Sequence, residues 1–249
     1  MEEIERKYPK LYKMNPKLYD FTHNLYFDPY VIGKNILFLL SNFGSVNWNA
    51  RNVCGVDCSE FVSEYLAELK SMDKIAEELK KFNYPVNYAL FDKSGLALYA
   101  LIRSKKPRLV LETGVANGFS THLVLAALNR NKKGSLVSIE IQKDVGQLLG
   151  NMDKSRWTLV VGKPKTTLLR TLKKIGKVDV FLHDSFHSYE NMLFEFNAVY
   201  EKASDDFVVL SDDASSNGAF LEFAKKLNAK PIIIPTFYRS FGILHLSKK

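Results

Sequence analysis

The chain has 249 residues, 35 Lys+Arg against 27 Asp+Glu, a net charge of +8 and 46% hydrophobic residues. This is a globular composition: it excludes a disordered chain, which would be poor in apolar residues, and 13 Gly exclude collagen. Two cysteines, Cys54 and Cys58, exclude a disulfide-dense secreted scaffold and leave a zinc site incomplete.

The start, Met1-Glu2-Glu3-Ile4-Glu5, is acidic where a secretory leader would be basic and then apolar. The densest apolar stretch, Ile36 to Leu40, falls far short of the ~20 residues that span a bilayer. A cytoplasmic location is expected. Residues 1–92 are read as a mostly helical extension. Pro9, Pro16, Pro29 and the Asn-rich stretch 42–52 predict short helices and loops. From Ser59 to Phe82 the spacing of Phe61, Tyr65, Leu66, Leu69, Met72, Ile75 and Leu79 predicts one helix with a single apolar stripe. This region is expected to cap a site and help choose a substrate, or to make an oligomer contact.

From residue 93 the rhythm changes. A helix over about 95–104 precedes strand-length apolar runs at 108–112, 135–140, 157–161, 178–183, 207–211, 231–234 and 242–246. Most lack polar alternation, which suits parallel strands buried on both faces. Helix-length segments at 118–130, 143–152, 164–175, 188–203 and 216–228 separate the first six. The last two runs are joined only by Pro235 to Phe241, too short for a helical crossover, so the final strand should be antiparallel. Residues 93–249 are therefore expected to form an α/β, Rossmann-like sheet of seven strands, mostly parallel, ending in an antiparallel hairpin.

The first strand runs into Glu112-Thr113-Gly114-Val115-Ala116-Asn117-Gly118-Phe119-Ser120. Gly114 permits a tight turn, and Ala116 and Gly118 let a ligand approach the backbone where the next helix starts. Glu140 closes the second strand, placed to accept hydrogen bonds from ribose hydroxyls. Together they point to an adenosine-type cofactor at the carboxyl end of the sheet. The spacing is Gly-x-x-x-Gly, preceded two residues earlier by a carboxylate, which disfavours a pyrophosphate and favours a cationic group. This resembles motif I of the class I S-adenosylmethionine (SAM)-dependent methyltransferases, over about residues 93–249. The resemblance implies that Glu112, Gly114, Ala116 and Gly118 line the methionine part of SAM, that Glu140 binds its ribose and that Ser120 also lies at the cofactor. It also implies that Gly162 and Asp184 lie at the cofactor. Members of that family often carry an acidic or polar residue after the third strand. Here Gly162-Lys163-Pro164 stands there, and lysine cannot accept a bond from the adenine amine.

The fourth run ends His183-Asp184-Ser185-Phe186-His187 and the fifth Ser211-Asp212-Asp213. Neighbouring strands would bring Asp184, Asp212 and Asp213 together, and such carboxylates repel unless a cation neutralises them. Oxygen ligands favour a hard divalent ion. His187 could take a hydroxyl proton. The Asp184-x-x-His187 pattern with the Asp212-Asp213 pair resembles the metal-dependent O-methyltransferases of the macrocin, macrolide-sugar type. That resemblance implies Mg²⁺ or Mn²⁺ on Asp184, Asp212 and Asp213, His187 as the base, and a small-molecule hydroxyl as acceptor. Strand alternation turns His183 away from the Asp184 side; facing the site, it would make Fe²⁺ or Zn²⁺ conceivable.

Residues 154–177 hold eight basic side chains and no acid, more in keeping with a solvated helix face than with a nucleic-acid surface. The competing functions are a metal-independent RNA or protein methyltransferase, a nucleotide-cofactor oxidoreductase and a non-catalytic cofactor-binding protein.

Overall fold

The computed structural model describes residues 58–80, 93–235 and 240–247. The short helices expected before residue 58, and Cys54, lie outside these residues.

A 3-10 turn, Cys58–Phe61, leads into α1 (Val62–Lys80), followed by α2 (Lys93–Lys105) and β1 (Leu109–Thr113). Then come α3 (Phe119–Asn131), β2 (Ser135–Glu140), β3 (Trp157–Val161), α4 (Pro164–Lys174), β4 (Val178–His183) and α5 (Tyr189–Tyr200). β5 (Ala203–Ser211), α6 (Ala219–Lys226), β6 (Ile232–Pro235) and β7 (Ser240–Ser247) complete the order. The strands form one seven-stranded sheet, β3-β2-β1-β4-β5-β7-β6. β1 through β5 pair in parallel, while β7 is antiparallel to both β5 and β6. The strand order reverses at β1/β4, the topological switch point where ligands of open α/β sheets bind.

Alternate residues of each strand feed two cores, as a period of two requires. Val110, Val180, Leu182, Val208 and Leu210 pack under α1, α2 and α3. Leu111, Phe181, Phe207 and Val209 pack under α4, α5 and α6. The central strands β1 and β4 are thus buried on both faces, as their mainly apolar runs suggest, while edge strand β3 is partly exposed. Helix α1 buries Val62, Tyr65, Leu69 and Met72 in the first of these cores, beside Phe61 of the preceding turn, so residues 62–80 belong to the helical layer itself. The basic residues of α4, Lys165, Arg170, Lys173 and Lys174, are exposed.

The helix expected over 143–152 is instead a loop with one 3-10 turn, Gln147–Leu149. Gly146 and Gly150 both take positive φ there (77° and 46°), which interrupts a right-handed helix on each side of Leu148. The fifth strand begins earlier than its apolar run, with Ala203 paired to Val178 and Asp206 to Ser247, and Asp206 is met by Lys105 at 2.6 Å and by His245. No helix of the described residues is long and apolar enough to cross a membrane.

Polar pairs fix α1 to the layer. Glu64 accepts from Arg103 Nε at 2.7 Å and from the Tyr99 hydroxyl at 2.9 Å. Glu68 meets His122 Nε2 at 3.2 Å and Arg130 at 3.0 Å. The Arg103 hydrogen bond outweighs burial and holds the Glu64 carboxyl below its ordinary value of 4.5. For Glu68, burial pushes up, but His122 and Arg130 bring the net shift down. A carboxyl with a depressed folded pKa adds stability above its unfolded value, and that stability disappears as pH falls through the folded value. Docking of α1 should therefore weaken below about pH 4. Amide exchange of α1 should accelerate there before that of β1 or β4, and Glu64→Gln should flatten this pH dependence. Equal acceleration in α1 and the central strands would count against it.

Candidate active site

The site lies where β1, β4 and β5 end level. Thr113 pairs with His183, and His183 with Ser211. The next residues, Gly114, Asp184 and Asp212, continue the ladder: the Asp184 amide donates to the Thr113 carbonyl and the Asp212 amide to the His183 carbonyl, each at 2.9 Å. Gly114 is required at this place. Its φ is +86°, and a Cβ there would stand 2.0 Å from the Asp184 carbonyl oxygen. The absent side chain lets the glycine loop lie directly against the end of β4.

Gly118 opens α3, also with φ of +86°, and a Cβ on it would come 2.8 Å from Gly146 Cα. The loop after β2 is thereby pressed onto the glycine loop, held by Gly146 N to Ala116 O at 2.9 Å and Leu148 N to Asn117 O at 2.8 Å. Ala116 is exposed, with φ of +46°.

The carboxylates of this half sit differently from the expectation. Glu112 is fully buried and accepts from the hydroxyls of Ser120 (2.7 Å), Thr121 (2.8 Å) and Ser138 (2.6 Å). Burial pushes its carboxyl up, the three hydroxyls offset part of that, and Glu140 adds to the rise. Glu112 and Ser120 therefore hold each other beneath the loop and present no side-chain surface to a methionine group. Glu140 accepts from the amides of Val115 (2.8 Å) and Ala116 (3.2 Å), and also from Ile141 (2.6 Å) and Gln142 (3.3 Å). A ribose hydroxyl would share or displace these amides. Next to it, the Gly162 amide donates to the Glu140 carbonyl at 2.9 Å, while Lys163 is exposed at the start of α4.

Asp184, Asp212 and Asp213 do converge, and they converge on His187. Its Nε2 lies 3.8 Å from Asp184 Oδ1, 3.9 Å from Asp212 Oδ2 and 4.0 Å from Asp213 Oδ2. The group whose donor atoms all lie within 4.8 Å of one another is Asp184, His187 and Asp212. The arrangement thus differs from a three-aspartate site: His187 stands among the potential ligands, with Asp213 at the edge. Two donors each about 2.1 Å from an ion can stand up to about 4.2 Å apart, and the 3.8 and 3.9 Å from His187 to Asp184 and Asp212 lie within that span. Asp212 is almost fully buried, whereas Asp184, His187 and Asp213 are partly accessible. Asp213 takes φ of +52°, a left-handed conformation that aspartate tolerates better than most residues. Asn217, one residue before the N-cap Gly218, accepts from the Ala219 amide at the start of α6, at 2.9 Å.

The loop carrying this cluster is pinned at several points. The Asn191 side-chain amide donates to the Phe186 carbonyl at 2.9 Å, and Asn217 donates to the His187 carbonyl at 3.0 Å. Ser188 caps α5 through the Asn191 amide. The Phe186 side chain is left 73% exposed beside the cluster.

One residue escaped the sequence reading altogether. Glu195 of α5 is 1% exposed and accepts from His183 Nδ1 (2.7 Å), Thr113 Oγ1 (2.6 Å), Ser185 Oγ (2.9 Å) and Asn191 Nδ2 (3.2 Å). Burial pushes its carboxyl up, but the His183 hydrogen bond and charge, with Thr113 and Ser185, bring it below the ordinary range. The available signal was a carboxylate on the helix face otherwise made by Met192, Phe196 and Val199. His183 itself is fully buried under α5, yet its ring meets that of His187 edge to face, centroids 5.3 Å apart.

Residues 111–214 match the family model described as a methyltransferase domain. No curated protein sequence matches the chain. Among solved structures, the O-methyltransferase TomG from Streptomyces achromogenes, involved in tomaymycin synthesis and in complex with SAM, is 19% identical with a TM-score of 0.58. That alignment covers 72% of this chain and 90% of TomG. An O-methyltransferase from Bacillus cereus in complex with S-adenosylhomocysteine (SAH) is 15% identical with a TM-score of 0.57, covering 72% of this chain and 91% of that one. An SAH-bound methyltransferase from Podospora anserina is 15% identical with a TM-score of 0.54, covering 74% and 88%. At these identities the structures share the fold. Residues 111–214 thus match a methyltransferase domain, within a chain that shares the fold of these solved methyltransferases.

Proposed function

We propose that the protein is a divalent-metal-assisted O-methyltransferase acting on a small-molecule hydroxyl. The observation that carries this reading is the placement of Asp184, His187 and Asp212 around one point, level with Gly114 at the switch point. Asp184, Asp212 and His187 would hold the ion. The mixed oxygen and nitrogen donors suit Mn²⁺ or Fe²⁺ as well as Mg²⁺. A bound divalent ion supplies positive charge that lowers the pKa of a nearby hydroxyl. Bound SAM would supply a methyl already activated on its sulfonium, with the C–O bond forming as the C–S bond breaks.

The protein's own work is then positioning and proton removal. The glycine loop, braced by Glu112 below and by Glu140 at the Val115 and Ala116 amides, orients the cofactor. Asp213, partly exposed beside His187, accepts the hydroxyl proton, replacing His187 in that role because the imidazole is taken up as a ligand. Phe186 and Tyr189, both exposed at the rim, offer apolar surface to the acceptor.

Calorimetric titration of the chelator-treated full chain tests the reading. SAH should bind with micromolar affinity, and Mn²⁺ or Mg²⁺ should give a second, saturable heat. SAH binding with no metal heat would remove the metal from the reaction. Absence of SAH binding by folded protein would overturn the cofactor reading.

A further inference from the structure

We infer that Glu195, acting through His183 and the loop 184–188, is a positioning residue that holds Asp184 and His187 in metal-binding geometry. The inference rests on the metal reading above and adds to it a residue outside the donor set.

A carboxylate inside an apolar helix face is expensive unless its oxygens are satisfied. Glu195 collects donors from four segments: Thr113 at the end of β1, His183 at the end of β4, Ser185 in the loop and Asn191 one turn earlier on α5. Those segments are the ones that frame Asp184. Asn191 carries the tie onward, because the same amide group donates to the Phe186 carbonyl and to Ser185 Oγ. The loop between Asp184 and His187 is therefore anchored from beneath by one charge.

His183 links that anchor to His187. The Glu195 carboxylate only accepts, so the His183 proton facing it sits on Nδ1. The fixed ring then forms the wall behind His187, with an interplanar angle of 87°. His187 has the carboxylates of Asp184 and Asp212 on one side and His183 against its ring. Glu195 touches none of the reacting groups. Its effect must be read through the geometry of those that do. Outer partners of this kind typically govern metal affinity by about 10–100-fold.

Glu195→Gln keeps the shape and removes the charge. In the full-length protein, Mn²⁺ affinity should fall about 10–100-fold, while SAH affinity stays within about twofold. Two readouts separate positioning from mere stability. The imidazole ¹⁵N spectrum should show His183 protonated at Nδ1 in the parent and altered in the variant. Glu195→Asp, which keeps the charge, should recover part of the Mn²⁺ affinity. Ser185→Ala, which removes one loop donor and leaves the Glu195–His183 pair intact, should give a smaller loss in the same direction, and it serves if Glu195→Gln fails to fold. Folded variants that hold Mn²⁺ with parental affinity overturn the inference while the metal reading survives. A parent protein that binds no Mn²⁺ overturns both.

Discussion

Asp212→Asn should abolish divalent-ion binding, with a loss larger than the ~10–100-fold expected for an outer partner, and leave SAH affinity nearly intact. Asp212 is 1% exposed, and its Oδ2 lies 3.9 Å from His187 Nε2. Asparagine has the same outline but carries no charge and turns a donor group toward the cation. The proposed cofactor residues follow β1 and β2, two and three strands away from β5, so they should not notice.

The same substitution has an opposite effect on the metal-free protein. Asp184, Asp212 and Asp213 all face His187 within 4.0 Å, and carboxylates gathered without a cation repel. Removing one charge should raise the Tm of chelator-treated protein by a few degrees, at about 2–4 °C per kcal/mol for a chain of this size. Added Mn²⁺ should raise the Tm of the parent and not of the variant, because only a ligand that binds the folded state stabilises it. A folded Asp212→Asn protein with parental Mn²⁺ affinity would remove Asp212 from the ligand set. Methyl transfer to hydroxyl compounds should fall with metal binding.

How much of this was readable from the residues follows from how local each feature is. Strand-length, mainly apolar runs place β2, β3 and β4 on the expected residues without adjustment, although β3, at the sheet edge, is only partly buried. Gly114, Asp184 and Asp212 were legible because each directly follows a strand, and register alone brings the three side by side. The loop after β2 was misleading for a physical reason. Val145, Leu148, Leu149 and Met152 have helical spacing, but Gly146 and Gly150 break the helix so that Gly146 can meet Gly118. Glu140 shows a different limit. Its position was legible and its partners were not, since the amides of Val115 and Ala116 reach it only after the glycine loop has turned back. Glu195 is the extreme case: its partner Thr113 is 82 residues away, and no spacing rule connects them. Buried polar hubs of this sort are specified by tertiary structure, and only a carboxylate breaking an apolar helix face announces them.

Gly114→Ala should damage both fold and cofactor binding, and it separates the contribution of backbone geometry from that of side chains. The residue's φ of +86° is strained for any L side chain, and the new Cβ would meet backbone, the Asp184 carbonyl at 2.0 Å and the Ser185 nitrogen at 3.0 Å. Backbone at the end of a central strand cannot swing aside as a flexible side chain can. The left-handed conformation costs about 1–2 kcal/mol, and overpacking adds about 1–3 kcal/mol. The sum, about 2–5 kcal/mol, is a large part of a typical domain's ~5–15 kcal/mol. At about 2–4 °C per kcal/mol the Tm should drop by roughly 10 °C. The displacement also pushes Asp184 away from Asp212 and His187, so the variant should lose Mn²⁺ affinity together with SAH affinity, unlike Asp212→Asn. Gly176→Ala provides the control: nothing lies within 4 Å of its Cβ, and it should leave Tm and both affinities unchanged. Parental SAH affinity in Gly114→Ala would show that the loop can separate from β4 without loss, and the close approach of Gly114 to Asp184 would then not be what shapes the site.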